Sequence, residues 1–171
     1  MIPRTMFDVV PYEAHVPAAP LVEGGAPAPA YAAIRRMEAA IPLALETIPI
    51  ASLTSHAFCD GVYRREFFLP KNAVVVSKIH KKENWFLLYS GEVSIASHDG
   101  TVVRVKAPYM AVTQPGTKRV VYAHEDTVMY TFHGNPDNET DTDKLEEKYI
   151  LPEAKPTLSA PEIRMLLENL Q

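Results

Sequence analysis

At 171 residues the chain has the length of one domain, and with 47% hydrophobic residues it carries enough apolar material for a core. A formal net charge of −4 excludes the broadly basic surface that a general nucleic-acid binder needs to neutralise phosphates. No apolar run approaches the roughly 20 residues of a bilayer span. Residues 1–15 lack the basic segment, apolar core and small-residue cleavage site of a secretory leader. Neither nucleic acid nor membrane is therefore an expected partner. Cys59 is the one cysteine, so no internal disulfide can form, which fits synthesis in a reducing cytoplasm. A nucleophilic cysteine needs a partnered base, and the sequence around Cys59 offers none.

In chain order, residues 1–60 carry 3 basic and 6 acidic side chains, residues 61–133 carry 10 and 6, and residues 134–171 carry 4 and 9. A mildly basic middle thus lies between two acidic ends. The first stretch opens as a Pro/Ala-rich arm, with Pro3, Pro11, Pro17, Pro20, Pro27 and Pro29 inside thirty residues. Proline fixes φ and removes a donor, so this segment reads as extended. Too poor in large side chains to fold alone, it offers Met6, Phe7 and Val9 as anchors for a neighbouring surface. From residue 30 the spacing of Tyr31, Ile34, Met37 and Ile41 predicts a short amphipathic helix over 30–41, stopping before Pro42.

The middle, 61–133, is β throughout. Runs of branched and aromatic residues at 62–69, 73–80, 85–89, 92–97, 101–106, 109–113, 117–122 and 127–133 predict eight short strands. Ser90-Gly91 and Asp99-Gly100 are hairpin signals, and Gln114-Pro115-Gly116 is a further break. Short strands at this spacing imply a sandwich or barrel. The run 85–89 is apolar on both faces. If Phe86 and Leu88 fill the interior, then Trp85, Leu87 and Tyr89 point outward and need cover from residues 31–60 or from another subunit. Beyond 133 an acidic segment with a short helical run near 143–148 leads to a C-terminal helix. That helix opens on the capping box Ser159-Ala160-Pro161-Glu162 and bears an apolar face of Ile163, Leu166, Leu167 and Leu170. It packs on its own barrel or docks on a neighbour.

Two motifs flank the β region. With six residues between, Asn84 precedes Gly91; His80 stands four residues before Asn84, and Lys78 two before His80. Downstream, Gln114-Pro115-Gly116 is followed, after two residues, by Arg119. This spacing resembles the cupin superfamily over about seventy residues. In that superfamily a His-x-His, a glutamate and a further histidine after Pro-x-Gly hold a divalent metal in a jelly-roll barrel. The resemblance implies an all-β, cupin-type jelly roll with an extended N-terminal arm and a short helix at each end. It also implies that Lys78, His80, Asn84 and Arg119 occupy the four ligand positions. Of these only His80 is a metal ligand of the expected kind. Arginine has no acceptor and stays protonated. Two unit charges at 4 Å repel by about 4 kcal/mol at an effective dielectric of 20. The expectation is a vestigial barrel-mouth site that holds no metal and no cofactor. Strand alternation predicts that Lys78 and His80 share the inward face with Val74 and Val76. Such a mouth would accept a small anion or be satisfied internally by Glu66, Glu83 or Glu92.

Over its whole length the chain resembles small cupin-like proteins encoded by tailed bacteriophages and prophages. The matching stretches include Gly61-Val62-Tyr63-Arg64-Arg65-Glu66, Lys78-Ile79-His80-Lys81, Pro115-Gly116-Thr117-Lys118-Arg119 and Glu125-Asp126-Thr127-Val128. Lys-x-His and Thr-Lys-Arg look usual in that family. The resemblance implies a non-enzymatic virion structural or assembly protein, made in the bacterial host cytoplasm and carried in the particle. Its partners would be further copies of itself and other particle proteins. The alternatives are a small-molecule or sugar-binding cupin and, less favoured, a metal-dependent cupin enzyme.

Overall fold

The computed structural model describes residues 29–168, apart from the side chains of residues 166 and 167. The arm with Met6, Phe7 and Val9, the end of the chain with Leu170, and the Leu166 and Leu167 side chains lie outside the described residues. The chain order is α1 (Pro29–Ala44), a 3-10 turn (Ile50–Leu53), β1 (Thr54–Cys59), β2 (Gly61–Leu69), β3 (Val74–Val76), β4 (Asn84–Ser90), β5 (Glu92–Ser97), β6 (Val102–Lys106), β7 (Tyr109–Thr113), β8 (Arg119–Ala123), β9 (Thr127–Asn135), α2 (Thr142–Tyr149) and α3 (Ala160–Glu168).

All strand pairs are antiparallel. They form a larger sheet in the order β1-β2-β9-β4-β7 and a smaller one in the order β3-β8-β5-β6. The β1–β2 and β5–β6 pairs are hairpins within one sheet, and every other connection between successive strands passes from one sheet to the other, the two-sheet arrangement of a jelly roll. The inner faces meet over Leu69, Phe86, Leu88, Val93, Ile95, Val121, Ala123 and Met129, with Phe67, Val75 and Val105 packed against them. At roughly 1.5–3 kcal/mol for each large side chain buried, this cluster is the main source of stability.

Gly91 (φ 87°) and Gly100 (φ 92°) both adopt the left-handed conformation. Gly100 turns the β5–β6 hairpin as expected, whereas Gly91 joins β4 to β5, which lie in different sheets, so the hairpin expected at Ser90-Gly91 is a turn between sheets. At Gly91 space matters as well as φ, because a Cβ there would stand 2.4 Å from Thr127 Oγ1 and 2.7 Å from the Asp126 carbonyl oxygen.

Three elements and one cap differ most from expectation. A ninth strand, β1, pairs with β2 along its whole length and brings residues 54–59 into the larger sheet. The run 73–80 is strand only at 74–76. Beyond it the Ser77 amide still donates to Arg119 O. The chain then turns to pair with the 149–151 segment, through Lys81 N to Tyr149 O and Leu151 N to Ile79 O. Helix α1 runs through Pro42 to Ala44. One missing amide is tolerated because the next turn still closes from Leu45 N to Ile41 O, 2.9 Å. At α3, Glu162 does reach back to the Ser159 amide (2.8 Å), but the serine hydroxyl donates to Glu162 instead of accepting from the helix.

Helix α1 is tied to the barrel by a buried charge cluster. The Lys118 side chain is fully buried and donates to Glu38 Oε2 (3.1 Å), Glu153 Oε2 (2.8 Å) and Ser77 O (3.2 Å). Arg35 bridges the same two carboxylates, and the Tyr31 hydroxyl donates to Glu153 Oε1 (3.1 Å).

Candidate functional site

The barrel interior is divided by polarity. Register places Tyr63 opposite His133 and Arg65 opposite Thr131 across β2 and β9. Thr131 lies opposite Phe86 across β9 and β4, and Asn84 opposite Thr113 across β4 and β7. These positions share the inner face with the apolar cluster, since side chains alternate along each strand. The far end of the barrel is therefore apolar, while the near end is built from arginine, histidine, asparagine and threonine. Helix α2 closes that end, with Leu145 and Tyr149 buried against Tyr63.

Imidazoles and phenols stack there. His133 lies 4.8 Å from Tyr149, 5.2 Å from His80 and 5.6 Å from Tyr63, ring centre to ring centre. The Tyr149 hydroxyl donates to Gly134 O. His56 Nδ1 and the Tyr63 hydroxyl are hydrogen-bonded at 2.7 Å. Burial lowers His80 to about 4, and the charges of Arg65 and Arg119 push the same way. Burial likewise lowers His133 to about 4, helped by His80 and Arg65. Both rings are therefore neutral at pH 7. Arg119 donates from Nη1 to Thr113 Oγ1 (3.0 Å), and its burial penalises the charged form.

This end is polar but unsatisfied. Ten buried side-chain nitrogen and oxygen atoms lack a hydrogen-bond partner among the described residues. Six of them lie here: Arg65 Nε, Asn84 Nδ2 and Oδ1, Arg119 Nε, Thr131 Oγ1 and His133 Nδ1. Asn84 and His133 are each only 4% exposed. Buried polar groups are normally paired, so a cluster of orphans indicates space for water or a ligand. A cleft of about 180 Å³ opens beside them, lined by Arg65, His80, His133, Tyr63, Tyr149 and Leu145 among others.

The four residues singled out from the motifs separate into three environments. His80 lies in the cleft, half-buried, beside His133. Asn84 and Arg119 lie deeper, linked through Thr113, and do not line the cleft. Lys78 does not point into the barrel core as alternation predicted. It lines the cleft from its exposed rim, ion-paired with Glu146, which lines it too. The inward residue of β3 is Val75, and the strand ends before Lys78, so alternation cannot be carried to it. The second inward cation is Arg65. Of the carboxylates named for these cations, Glu66 pairs with Arg64 and Glu92 with Arg104, while Glu83 is exposed and reaches neither arginine. Among the described residues neither Arg65 nor Arg119 has a carboxylate within 4.0 Å, and no group of three or more His, Cys, Asp or Glu converges in a metal-holding arrangement.

A divalent metal does not fit this donor set. The four cupin ligand positions supply one neutral imidazole, one amide, an arginine and an outward lysine. Three of the six orphaned atoms, Arg65 Nε, Arg119 Nε and Asn84 Nδ2, are N–H donors that cannot ligate a cation, and two of them carry positive charge. Sequence reading also passed over Arg65, Tyr63, His133 and Tyr149. The available signal was a lone arginine on the inward face of a strand whose other inward residues, Tyr63, Phe67 and Leu69, are apolar or aromatic.

The outer face of the larger sheet is the second unusual surface. Trp85 (48% exposed) and Tyr89 (63%) point outward as expected, with Leu87 half-buried between them, while Phe86 and Leu88 are buried. On the neighbouring strands Met110 and Phe68 are also exposed. Tyr130 stands edge-on to Tyr89 at 5.7 Å and lies under the Arg64 guanidinium at 5.0 Å.

The topology and the inner-face pattern define a jelly-roll barrel of the cupin type. No protein-family model matches the chain, and no curated protein matches it. Among solved structures it is similar to a cupin superfamily protein from Desulfitobacterium hafniense, at 15% identity and a TM-score of 0.42, covering 52% of this chain and 90% of that one. It is also similar to the Cnp3 cupin domain of Schizosaccharomyces pombe, at 15% identity and a TM-score of 0.42, covering 63% and 73%. A third is a salicylate 1,2-dioxygenase variant from Pseudoaminobacter salicylatoxidans, at 11% identity and a TM-score of 0.46; the match covers 59% of this chain and 30% of the dioxygenase. Among the described residues no helix is long and apolar enough to cross a membrane.

Proposed function

We propose that the protein is a non-enzymatic structural or assembly component of a tailed-phage particle, a jelly roll that self-associates through the outer face of its larger sheet. The observation that supports this reading is the exposed apolar face of Trp85, Tyr89, Met110 and Phe68, since exposed apolar patches of this kind mark interaction surfaces. The occupant is a second copy of the chain. The face carries one guanidinium and one carboxylate, Arg64 and Glu66, 3.4 Å apart. Such a pair is complementary to itself across a two-fold axis, as an isologous contact requires. The phage assignment rests on the sequence resemblance, and the non-enzymatic reading on a barrel mouth that lacks a cupin ligand set. The virion is then the protein's location, with other particle proteins as further partners, and neither nucleic acid nor membrane is among them.

A mass-spectrometric inventory of gradient-purified particles tests the particle role. The expected result is this chain at a fixed copy number relative to the major particle proteins. Its presence in lysates of infected cells together with its absence from purified particles would overturn the reading.

A further inference from the structure

We propose that the polar end of the barrel is a binding site for a small organic acid, with Arg65 as the cationic donor in the cleft, Arg119 behind its floor, and the Tyr63–Tyr149 rings against the apolar part of the ligand. The site is independent of the outer sheet face and of any role in a particle.

Three observations carry the assignment. The first is charge without a partner. Two guanidinium groups occupy the inner face, and among the described residues neither has a carboxylate within 4.0 Å, while exposed Arg104 and Lys144 both do. Buried charges are ordinarily paired, so the missing anion is expected from outside the chain.

The second is the character of the orphaned atoms. Arg65 Nε, Arg119 Nε and Asn84 Nδ2 are obligate donors, and Thr131 Oγ1 can donate. A ligand that satisfies them must be rich in acceptors. Asn84 is 96% buried and has neither side-chain atom satisfied, and Thr113, opposite it, already accepts from Arg119. Asn84 and Arg119 therefore form a donor pair behind the cleft floor of Arg65, His80 and His133. With both histidines neutral, the positive charge at this end belongs to the two arginines and to Lys78, and of these Lys78 alone has a carboxylate partner, Glu146.

The third is the cleft. Its volume of about 180 Å³ equals that of about six water molecules at ~30 Å³ each, which suits an acid of roughly that many heavy atoms or somewhat more. Its walls are not uniformly polar. Ile50, Leu145, Ile150 and the Tyr149 ring line it alongside Arg65, while the exposed Asp143, Glu146 and Lys78 also contribute to its wall. An inorganic oxyanion would leave that wall wet, whereas an organic body covers it while its carboxylate meets the guanidinium. Carboxylate and guanidinium pair through two parallel N–H···O bonds, the geometry in which arginine is most selective. The inferred site inverts the electrostatics of a metal-holding barrel, because its donors attract an anion where such a barrel attracts a cation.

The test is calorimetric titration and thermal denaturation of the full chain with four probes: benzoate, succinate, benzamide as the neutral counterpart of benzoate, and inorganic phosphate. At least one carboxylate should bind in the millimolar range or tighter and raise the melting temperature. Benzamide and phosphate should do so at least tenfold more weakly. Arg65→Gln should weaken carboxylate binding about tenfold or more and Arg119→Gln, behind the cleft floor, several-fold, whereas Arg104→Gln, on the outer strand β6, should leave it unchanged. Circular dichroism identifies a variant that fails to fold. Arg65→Lys then substitutes for it, since it keeps the charge, loses the fork, and should still bind several-fold more weakly. Equal binding of benzamide, stronger binding of phosphate, binding unchanged in both arginine variants, or no binding of either carboxylate would each overturn the proposal.

Discussion

His133 shows how much a single residue depends on its surroundings. It is 4% exposed, its Nδ1 has no partner, and it lies among Tyr63, His80, Tyr149 and Arg65. Burial and neighbouring positive charge lower both His133 and His80 to about 4, against an ordinary value of 6.5. In the unfolded chain these rings bind protons as the pH falls through 6.5, while the folded protein does not take them up until about pH 4. The unfolded state therefore binds more protons in that window, and stability falls with pH. The loss is absent above about pH 6.5, grows down to about pH 4, and is complete below that. Urea denaturation at pH 7.5, 6, 5 and 4 should show this decline, and His133→Phe should flatten it between pH 6.5 and 4 relative to wild type. An equal slope in the two proteins would show that other groups cause the decline. At this scale the sequence revealed part of the site. The spacing to Gly91 and Gly116 located His80, Asn84 and Arg119. It could not reveal Arg65 or His133, because their meeting depends on the register of β2 with β9, which pairs residues some seventy positions apart.

Among elements, α1 gains its place from a buried cation as well as from its apolar face. Ile34 is its one buried residue, and Met37 and Leu43 remain exposed. Lys118, in the turn before β8, is fully buried and meets Glu38 of α1 and Glu153 of the segment before α3. The two sides of this cluster are unequal. Glu38 and Glu153 keep 29% and 15% of their side chains exposed, whereas Lys118 keeps none. Removing a carboxylate leaves a cation that cannot reach water; removing the lysine leaves carboxylates that can. Breaking a buried pair from one side costs about 3–5 kcal/mol, and replacing the buried charge with an apolar side chain of similar length costs much less. Glu153→Ala should therefore destabilise by about 3 kcal/mol and expose residues 29–50 to limited proteolysis, with Lys118→Met milder in both respects. A Lys118→Met variant less stable than Glu153→Ala would contradict this ordering. Most of the β elements could be read from sequence because alternation and Gly91 and Gly100 punctuate them. The first strand was hidden: Thr54–Cys59 is an edge strand with four of its six residues exposed, so it lacks the apolar alternation that marks the others. The end of β3 was overestimated because the run of residues up to 80 was read as one strand, yet residues 79–81 pair with 149–151, a partner no local pattern announces.

For the whole molecule, the two sheets present different exteriors. The smaller sheet ends on β6, with Val102 (71% exposed) on a short edge strand flanked by Arg104 and Lys106. Charged side chains on an edge discourage strand pairing with another molecule. The larger sheet instead presents an aromatic face across β2, β9, β4 and β7. Helix α1 does not supply its cover, since its charged contacts are with Lys118 and Glu153. A specific interface buries about 800 Å² from each partner, with aromatic residues and arginine enriched at its centre. Trp85, Tyr89, Tyr130 and Arg64 meet that description. Sedimentation at micromolar concentration should therefore give an oligomer, with the dimer as its smallest unit. The double variant Trp85→Glu/Tyr89→Glu should sediment as a monomer, because two carboxylates on each face would meet their copies across the two-fold axis. Both residues are already open to water in the single chain, so the variant barrel should unfold within a few degrees of wild type once the interface contribution is lost. Val102→Glu, an equally exposed apolar position on the other sheet, should leave the oligomer intact. A wild-type monomer, or loss of the oligomer in Val102→Glu with retention in the double variant, would place the contact elsewhere and remove the main support for assembly through the larger sheet.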